Sequence, residues 1–279
     1  MNYPICQTCG VQYDQAHFDP DHCRICEDER QYVGWSGQRW TTLEEMAAGG
    51  YRADIREEGE LTGIGTAPAF AIGQRALLVP GEGGNVLWDC VSYVDEEAVA
   101  AVQAAGGVAA IAVSHPHFYS SAVSWSEAFG GAPIYLHEAD RKWVCRDGNI
   151  TFWAGDSHEI LPGRTLVNCG VHFAGGTVLH WAAGADGRGA LCTGDILTVV
   201  MDRRYVSFMY SYPNHVPESP AVIERALALL EPFAFDTIYG GWWGRVVATD
   251  GKGAVARSAA RYLGRLGFST PSRPRPPTC

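Results

Sequence analysis

No stretch of the 279 residues approaches the roughly 18 consecutive apolar residues of a membrane span, so no membrane contact is expected. Positive charge is scarce. Twenty-one Lys and Arg stand against 31 Asp and Glu, a formal net charge of −10, which argues against a nucleic-acid-binding surface over most of the chain. Residues Met1–Gly10 carry neither the basic region nor the apolar core of a secretory leader, so a cytoplasmic location is the expectation. Without export, the nine cysteines read as thiols and metal ligands rather than disulfides. Glycine and proline, at 33 and 15 residues, predict many turns and a loop-rich α/β or β-rich fold.

Four of the cysteines form two pairs, Cys6-x2-Cys9 and Cys23-x2-Cys26, with thirteen residues between them. Each pair can make a knuckle that grips one ion. Two knuckles give a closed tetrahedral zinc site of four thiolates, with no open position for catalysis. The segment is short and poor in large apolar residues, so it needs such a staple to fold. Reduced thiols or a redox motif are the alternatives. His17 and His22 lie between the pairs and could replace a cysteine, but four suffice, and both read as surface residues. The expected organisation is a zinc-binding segment and linker over 1–37, a main domain over 38–268 and a Pro-rich tail over 269–279.

The pattern after the linker predicts a short helix near Thr42–Ala48, then strands at Tyr51–Glu58 and Leu61–Gly65. Ala69–Ile72 and Ala76–Val79 read as a hairpin about Gly73-Gln74, and Val86–Cys90 as a strand. Asp95 caps a helix that Gly106-Gly107 stops. Further strands are expected at Ala109–Val113, Pro133–His137, Ile150–Trp153, Arg164–Cys169, Thr177–Trp181, Ala190–Thr193 and Phe235–Tyr239. Ser219-Pro220 starts a helix with an apolar face of Val222, Ile223, Ala226, Leu227 and Leu230. A last helix spans about Asp250 to Leu266, and its Arg257, Arg261 and Arg265 read as a solvated face.

The Val108–Val113 run delivers His115 and His117, one residue apart. In extended backbone, side chains at i and i+2 share a face, so both imidazoles can reach one ion. His172, on a turn between two strands, and Asp195, after a strand and Gly194, can complete the set. Phe118, Tyr119, Phe208, Tyr210, Trp242 and Trp243 are aromatic residues that either wall a pocket or fill the core. His215 lies on a loop and can line a pocket or face solvent, while His137, His158 and His180 read as structural or exposed.

This order of motifs resembles the metallo-β-lactamase-fold superfamily over about residues 40–268: Leu87-Trp88-Asp89, the His-x-His loop, a His-x-x-Gly turn, then Gly194-Asp195. The resemblance implies an α/β fold, an αββα sandwich with metals at one edge of the sheets. It implies that His115, His117 and His172 are the ligands of the first metal site and that Asp195 is the carboxylate that bridges two metals. The family pattern His-x-His-x-Asp-His is broken here: Tyr119 stands in place of Asp and Ser120 in place of the third His. The late family histidine is replaced within Gly241-Trp242-Trp243-Gly244, which puts Trp242 and Trp243 on a loop at the metal edge. One ion, zinc or iron, is therefore expected where relatives hold two.

Three readings of function follow. The first is a mononuclear hydrolase acting on an ester, thioester, lactone or amide of a small molecule. In it Asp195 binds the ion or accepts a proton, Tyr119 stabilises an oxyanion or blocks the site, and Trp242, Trp243 and His215 contact substrate. The second is a non-haem iron oxidoreductase. The third is an inactive metal-binding scaffold. The chain could also pair with copies of itself.

Overall fold

The computed structural model describes residues 2–268, and the Pro-rich tail expected at 269–279 lies outside the described residues. Seven strands cross the first sheet in sequence order: Arg52–Glu58, Leu61–Ala67, Ala76–Val79, Val86–Trp88, Ala110–Ala112, Ile134–His137 and Ile150–Trp153. The first four pair antiparallel through tight connections. The last pairings are parallel, and parallel neighbours need crossovers. Those are the helices Glu96–Ala104 and Ala122–Ala128 and the 3-10 turn Glu138–Trp143. The Asp95 carboxylate caps the first of these by accepting from the Ala98 N–H.

The second sheet has six strands in the order Ser157–Leu161, Arg164–Asn168, Thr177–Trp181, Ala190–Gly194, Thr237–Gly240 and Val246–Val247. Alternation along the strands sorts the side chains into layers. Val86, Trp88 and Ala112 meet Leu179, Trp181 and Tyr239 between the sheets. Leu87, Ile111 and Val113 point the other way, to Ala98, Val102 and Trp125. Helices Pro220–Leu230 and Gly251–Arg265 bury Ile223, Leu230, Val255 and Leu263 on the outer face of the second sheet. Each such side chain contributes about 1.5–3 kcal/mol on leaving water. The result is the expected αββα sandwich.

The four-cysteine segment packs on the helix-bearing side of the first sheet. Cys6, Cys9, Val11, Tyr13, Cys23, Ile25 and Cys26 share one buried cluster with Ile64, Trp125 and Leu136. Its backbone is tied down as well. Gln12 N donates to Ser120 O at 3.0 Å, Asp14 N to Cys145 O at 3.0 Å, and Ser92 Oγ to Gly10 O at 2.7 Å.

The hairpin expected about Gly73-Gln74 does not form. Only Ala76–Val79 is a strand. Ala71 and Gly73 adopt φ of 50° and 69°, which no ladder accommodates, and Phe70 turns to Tyr51 and Tyr93 in a separate small cluster. The strand Ser157–Leu161 escapes the pattern because it is an edge with mostly exposed residues.

Arg75 is 1% exposed, and its Nε donates to Glu58 Oε2 at 2.8 Å. Glu58 also accepts from the Gly244 N–H on the Trp242–Trp243 loop. Glu58→Ala leaves a buried guanidinium unpaired. It is expected to cost about 3–5 kcal/mol, read as a lower urea midpoint with an unchanged slope.

Candidate metal centre

The chain ends of several strands meet at one edge of the sandwich. Ala110–Ala112 leads to His115 and His117, Arg164–Asn168 to His172, Ala190–Gly194 to Asp195, and Thr237–Gly240 to Trp242 and Trp243. The two sheets are joined here by Thr177 N donating to Ser114 O at 2.9 Å. Gly194, at φ 53°, is required by crowding: a Cβ there would lie 2.7 Å from Ser114 Oγ and 3.1 Å from Asp89 Oδ2.

The His115–His117 pair converges, but not by strand alternation. His115 is extended, and Pro116–Phe118 is a single 3-10 turn. The turn brings the ring centroids to 5.2 Å. His172 sits at φ 67° in a γ-turn closed by Phe173 N donating to Val171 O at 2.7 Å. One possible ligand nitrogen from each of His115, His117 and His172 lies within 4.8 Å of the others. The closest contact, His117 Nδ1 to His172 Nε2, is 3.1 Å. Asp195 joins at one corner, with Oδ1 3.2 Å from His115 Nε2.

Neighbouring groups set the protonation of these rings. His172 Nδ1–H donates to Tyr210 O at 2.7 Å, which leaves Nε2 a bare lone pair. His115 Nδ1 lies 2.9 Å from Ser114 Oγ, and Ser114 N donates to Asp89 Oδ1 at 2.8 Å. Burial holds all three imidazoles well below the ordinary histidine range, His172 down to about 4, so they are neutral at pH 7. Burial, with Asp89 nearby, pushes Asp195 up to about 8. Burial alone pushes Asp89 up to about 7.

The donor set fits a metal ion. His115 Nε2, His117 Nε2 and Asp195 Oδ1 are buried polar atoms with no hydrogen-bond partner among the described residues. Such atoms are costly unless something satisfies them. Neutral imidazoles beside a carboxylate are the chemistry that a divalent cation satisfies.

The four cysteines form the second cluster, with Cys6 Sγ 3.6 Å from Cys26 Sγ and Cys9 Sγ 3.7 Å from Cys23 Sγ. These separations are too long for disulfides. Tyr13 OH and Gln38 Nε2 lie 3.3 and 3.2 Å from Cys23 and Cys6 sulfurs, placed to donate to thiolates.

No protein-family model matches the chain. Over 269 residues it is 49% identical to the uncharacterized protein YmaE of Bacillus subtilis (strain 168), covering 95% of this chain and 97% of YmaE. Similar solved structures include VMB-1, with a TM-score of 0.56 and 13% identity over 77% of this chain and 98% of that one. The DIM-1 metallo-β-lactamase gives 0.56 and 12% over the same shares. The chain belongs to one family with YmaE and has the metallo-β-lactamase fold. A peroxy diiron species of the chemotaxis sensor ODP shares that fold too, with a TM-score of 0.52 and 16% identity over 77% of this chain and 99% of that one.

At the positions where the motif that the sequence resembles places further ligands, this chain carries packing residues. Tyr119 is buried among Val11, Gln12, Leu136, Val144 and Cys145, around a small cavity facing the four-cysteine segment. Ser120 Oγ accepts from Gln74 Nε2 at 2.8 Å. Trp242 donates to Ile72 O at 2.8 Å, and its ring contacts Phe118, which in turn contacts His115. Trp243 rests on Gly63, where a Cβ would come within 2.4 Å of its ring.

Trp242, Trp243 and His215 line one cleft of about 740 Å³, with Tyr212, Met209 and Arg245. Tyr212 links cleft to centre: its OH donates to Asp195 O at 2.7 Å, and its ring lies 5.6 Å from that of His172. Sequence reasoning missed Tyr212, Phe173 and Arg30. Phe173 contacts all three histidine rings, and only its place beside His172 could have signalled it. His137, His158 and His180 lie apart from the centre: His137 and His180 bond to Gly155 O and Ala234 O, and His158 stacks on Trp153. Among the described residues no helix is long and apolar enough to cross a membrane.

Proposed function

We propose that this chain is a metal-dependent hydrolase with one catalytic ion, acting on an ester, thioester, lactone or amide bond of a small molecule. The observation that carries this reading is Asp195 beside the three clustered imidazoles, touching them only through His115 at 3.2 Å. His115, His117 and His172 would hold the ion, which would supply a Lewis acid and a bound water whose pKa falls to about 7. Tyr119 and Ser120, which bind no second ion, support a single-ion centre.

Asp195 is the proton acceptor in this scheme. Its buried side chain, 3.2 Å from His115 Nε2, stands beside the nitrogens that would hold the ion, where a water on that ion would give up its proton. Tyr212 fixes the Asp195 backbone from the cleft side. Trp242 and Trp243 give the substrate an apolar wall that excludes water, and His215 lies at the same cleft. Tyr119 we assign to packing under the four-cysteine segment rather than to the reacting atoms. The same three imidazoles and carboxylate also suit non-haem iron, which is the second reading.

The four cysteines are proposed to hold structural zinc. Zn–S bonds of about 2.3 Å give tetrahedron edges of about 3.8 Å, close to the 3.6 and 3.7 Å separations found.

The test is a panel of small esters, thioesters, lactones and amides with Asp195→Asn. Loss of the proton acceptor is expected to lower kcat by about 10²–10⁴-fold with KM nearly unchanged. Equal activity of Asp195→Asn on every hydrolysed substrate would remove Asp195 from the chemistry.

A further inference from the structure

Four residues just past the last cysteine knuckle, Asp28 to Gln31, grip both sides of His172. Arg30 Nη1 donates to His172 O at 3.3 Å. The same guanidinium lies 3.8 Å from the centroid of Phe173, with Trp143 and Tyr210 at 5.4 and 5.5 Å. Phe173 in turn sits against His115, His117 and His172, at ring distances of 5.4, 4.9 and 5.0 Å. The opposite side of His172 is the Tyr210–Asn214 stretch, whose Tyr210 O accepts the hydrogen bond from His172 Nδ1–H. That stretch is bound to the same four residues. Ser211 Oγ donates to Arg30 O at 3.1 Å, and Asn214 Nδ2 donates to Glu29 O and Gln31 O at 2.9 and 3.2 Å. Tyr210 OH donates to the Glu29 carboxylate.

We propose that residues 28–31 are a clasp, with Arg30 as a positioning residue, that holds His172 in place and makes metal retention at the histidines depend on a loaded four-cysteine site. The inference rests on the histidines holding a metal, and not on the reaction class. His172 adopts a left-handed conformation that a histidine holds only where its surroundings fix it. The contacts that fix it come from a segment whose own shape is set by Cys23 and Cys26, two to seven residues upstream of Asp28–Arg30.

Charge opposes position here, which makes the claim decidable. A guanidinium this close would repel a bound cation. Asp28 offsets that repulsion, accepting from Arg30 Nε at 2.5 Å and from Nη2 at 2.8 Å. If Arg30 acted only through its charge, removing it would slow metal loss. If it acts as a clasp, removing it speeds metal loss.

The experiment loads the full chain with cobalt(II) at both sites and follows release to excess chelator. The thiolate band in the near ultraviolet reports the cysteine site. Because a four-thiolate cobalt site also absorbs in the visible, the visible bands of the histidine site are those left after subtracting the spectrum of an equally treated chain carrying His115→Ala and His172→Ala. Arg30→Ala and Asn214→Ala are expected to release histidine-site cobalt at least tenfold faster, with the thiolate band unchanged, and Arg30→Lys to recover part of the loss. Ejecting the cysteine-site ion from the wild-type chain with a thiol reagent should then bleach the visible bands as well. Unchanged or slower release from Arg30→Ala overturns the proposal. So does parallel loss of both bands, which marks general destabilisation, or visible bands that survive thiol treatment. A wild-type chain with no histidine-site bands would refute the metal centre itself and the clasp with it, whereas a loaded but inactive chain would refute only the hydrolase reading.

Discussion

His115→Ala and His172→Ala are each expected to abolish turnover while leaving the chain folded. Both rings supply a nitrogen to the cluster, and His215, which lines the neighbouring cleft, is not part of that cluster. Losing the ion removes the Lewis acid and the acidified water together, worth several kcal/mol in the transition state, or about 10³-fold in rate at the least. The cost to stability should be small. His115 is held neutral with a buried Nε2 that lacks a hydrogen-bond partner, and His172→Ala gives up one neutral bond to Tyr210 O, worth about 0.5–1.5 kcal/mol. A melting temperature within a few degrees of wild type, with kcat lost and one ion fewer, is the expected outcome. Unchanged turnover in either variant would move the chemistry elsewhere.

Cys9→Ser is expected to do the opposite. Cys9 is fully buried, its Sγ lies 3.7 Å from Cys23, and it belongs to the cluster that contains Ile64, Trp125 and Leu136. The segment has few large apolar side chains of its own, so its order depends on the ion. Losing a structural zinc site forfeits binding energy on the order of 10 kcal/mol at saturation. Because a serine-containing site can retain weak binding, about half of that is a fair expectation, or a fall of roughly 10 °C or more in Tm for a chain of this size. Calorimetry of the variant beside wild type reads it. A Cys9→Ser chain that melts with wild type would show that the sulfurs are ordinary buried thiols.

These two outcomes follow from residues that stand out in the sequence. The cysteine pairs and the His-x-His motif are short and contiguous, so residue type and spacing alone expose them. His172 and Asp195 needed the order of motifs along the chain, because nothing local distinguishes them from His180 or Asp202. The strands were legible where both faces are buried, as at Thr177–Trp181, and were missed where tertiary pairing alone makes the strand, as at the polar edge Ser157–Leu161. The convergence of His115 and His117 was expected for the wrong reason: Pro116 starts a 3-10 turn, and the turn rather than a strand face brings the rings together.

What surrounds the centre was not legible. Arg30 lies 142 residues from His172 in the chain, and an arginine after a cysteine knuckle carries no mark of the carbonyl it will bond. Tyr212 sits in a stretch of two- and three-residue strands too short to show periodicity. Tyr119 was read as facing the metal because of its place in the motif. Its neighbours in space are Val11, Leu136 and Cys145, and they depend on how a segment more than a hundred residues upstream docks.

The metal content of the full chain, purified without chelator, tests the central claim most directly. One ion at the four cysteines and one at the histidines predict two per chain, with one lost in His115→Ala and in His172→Ala. A single ion per chain that survives both substitutions would contradict the account.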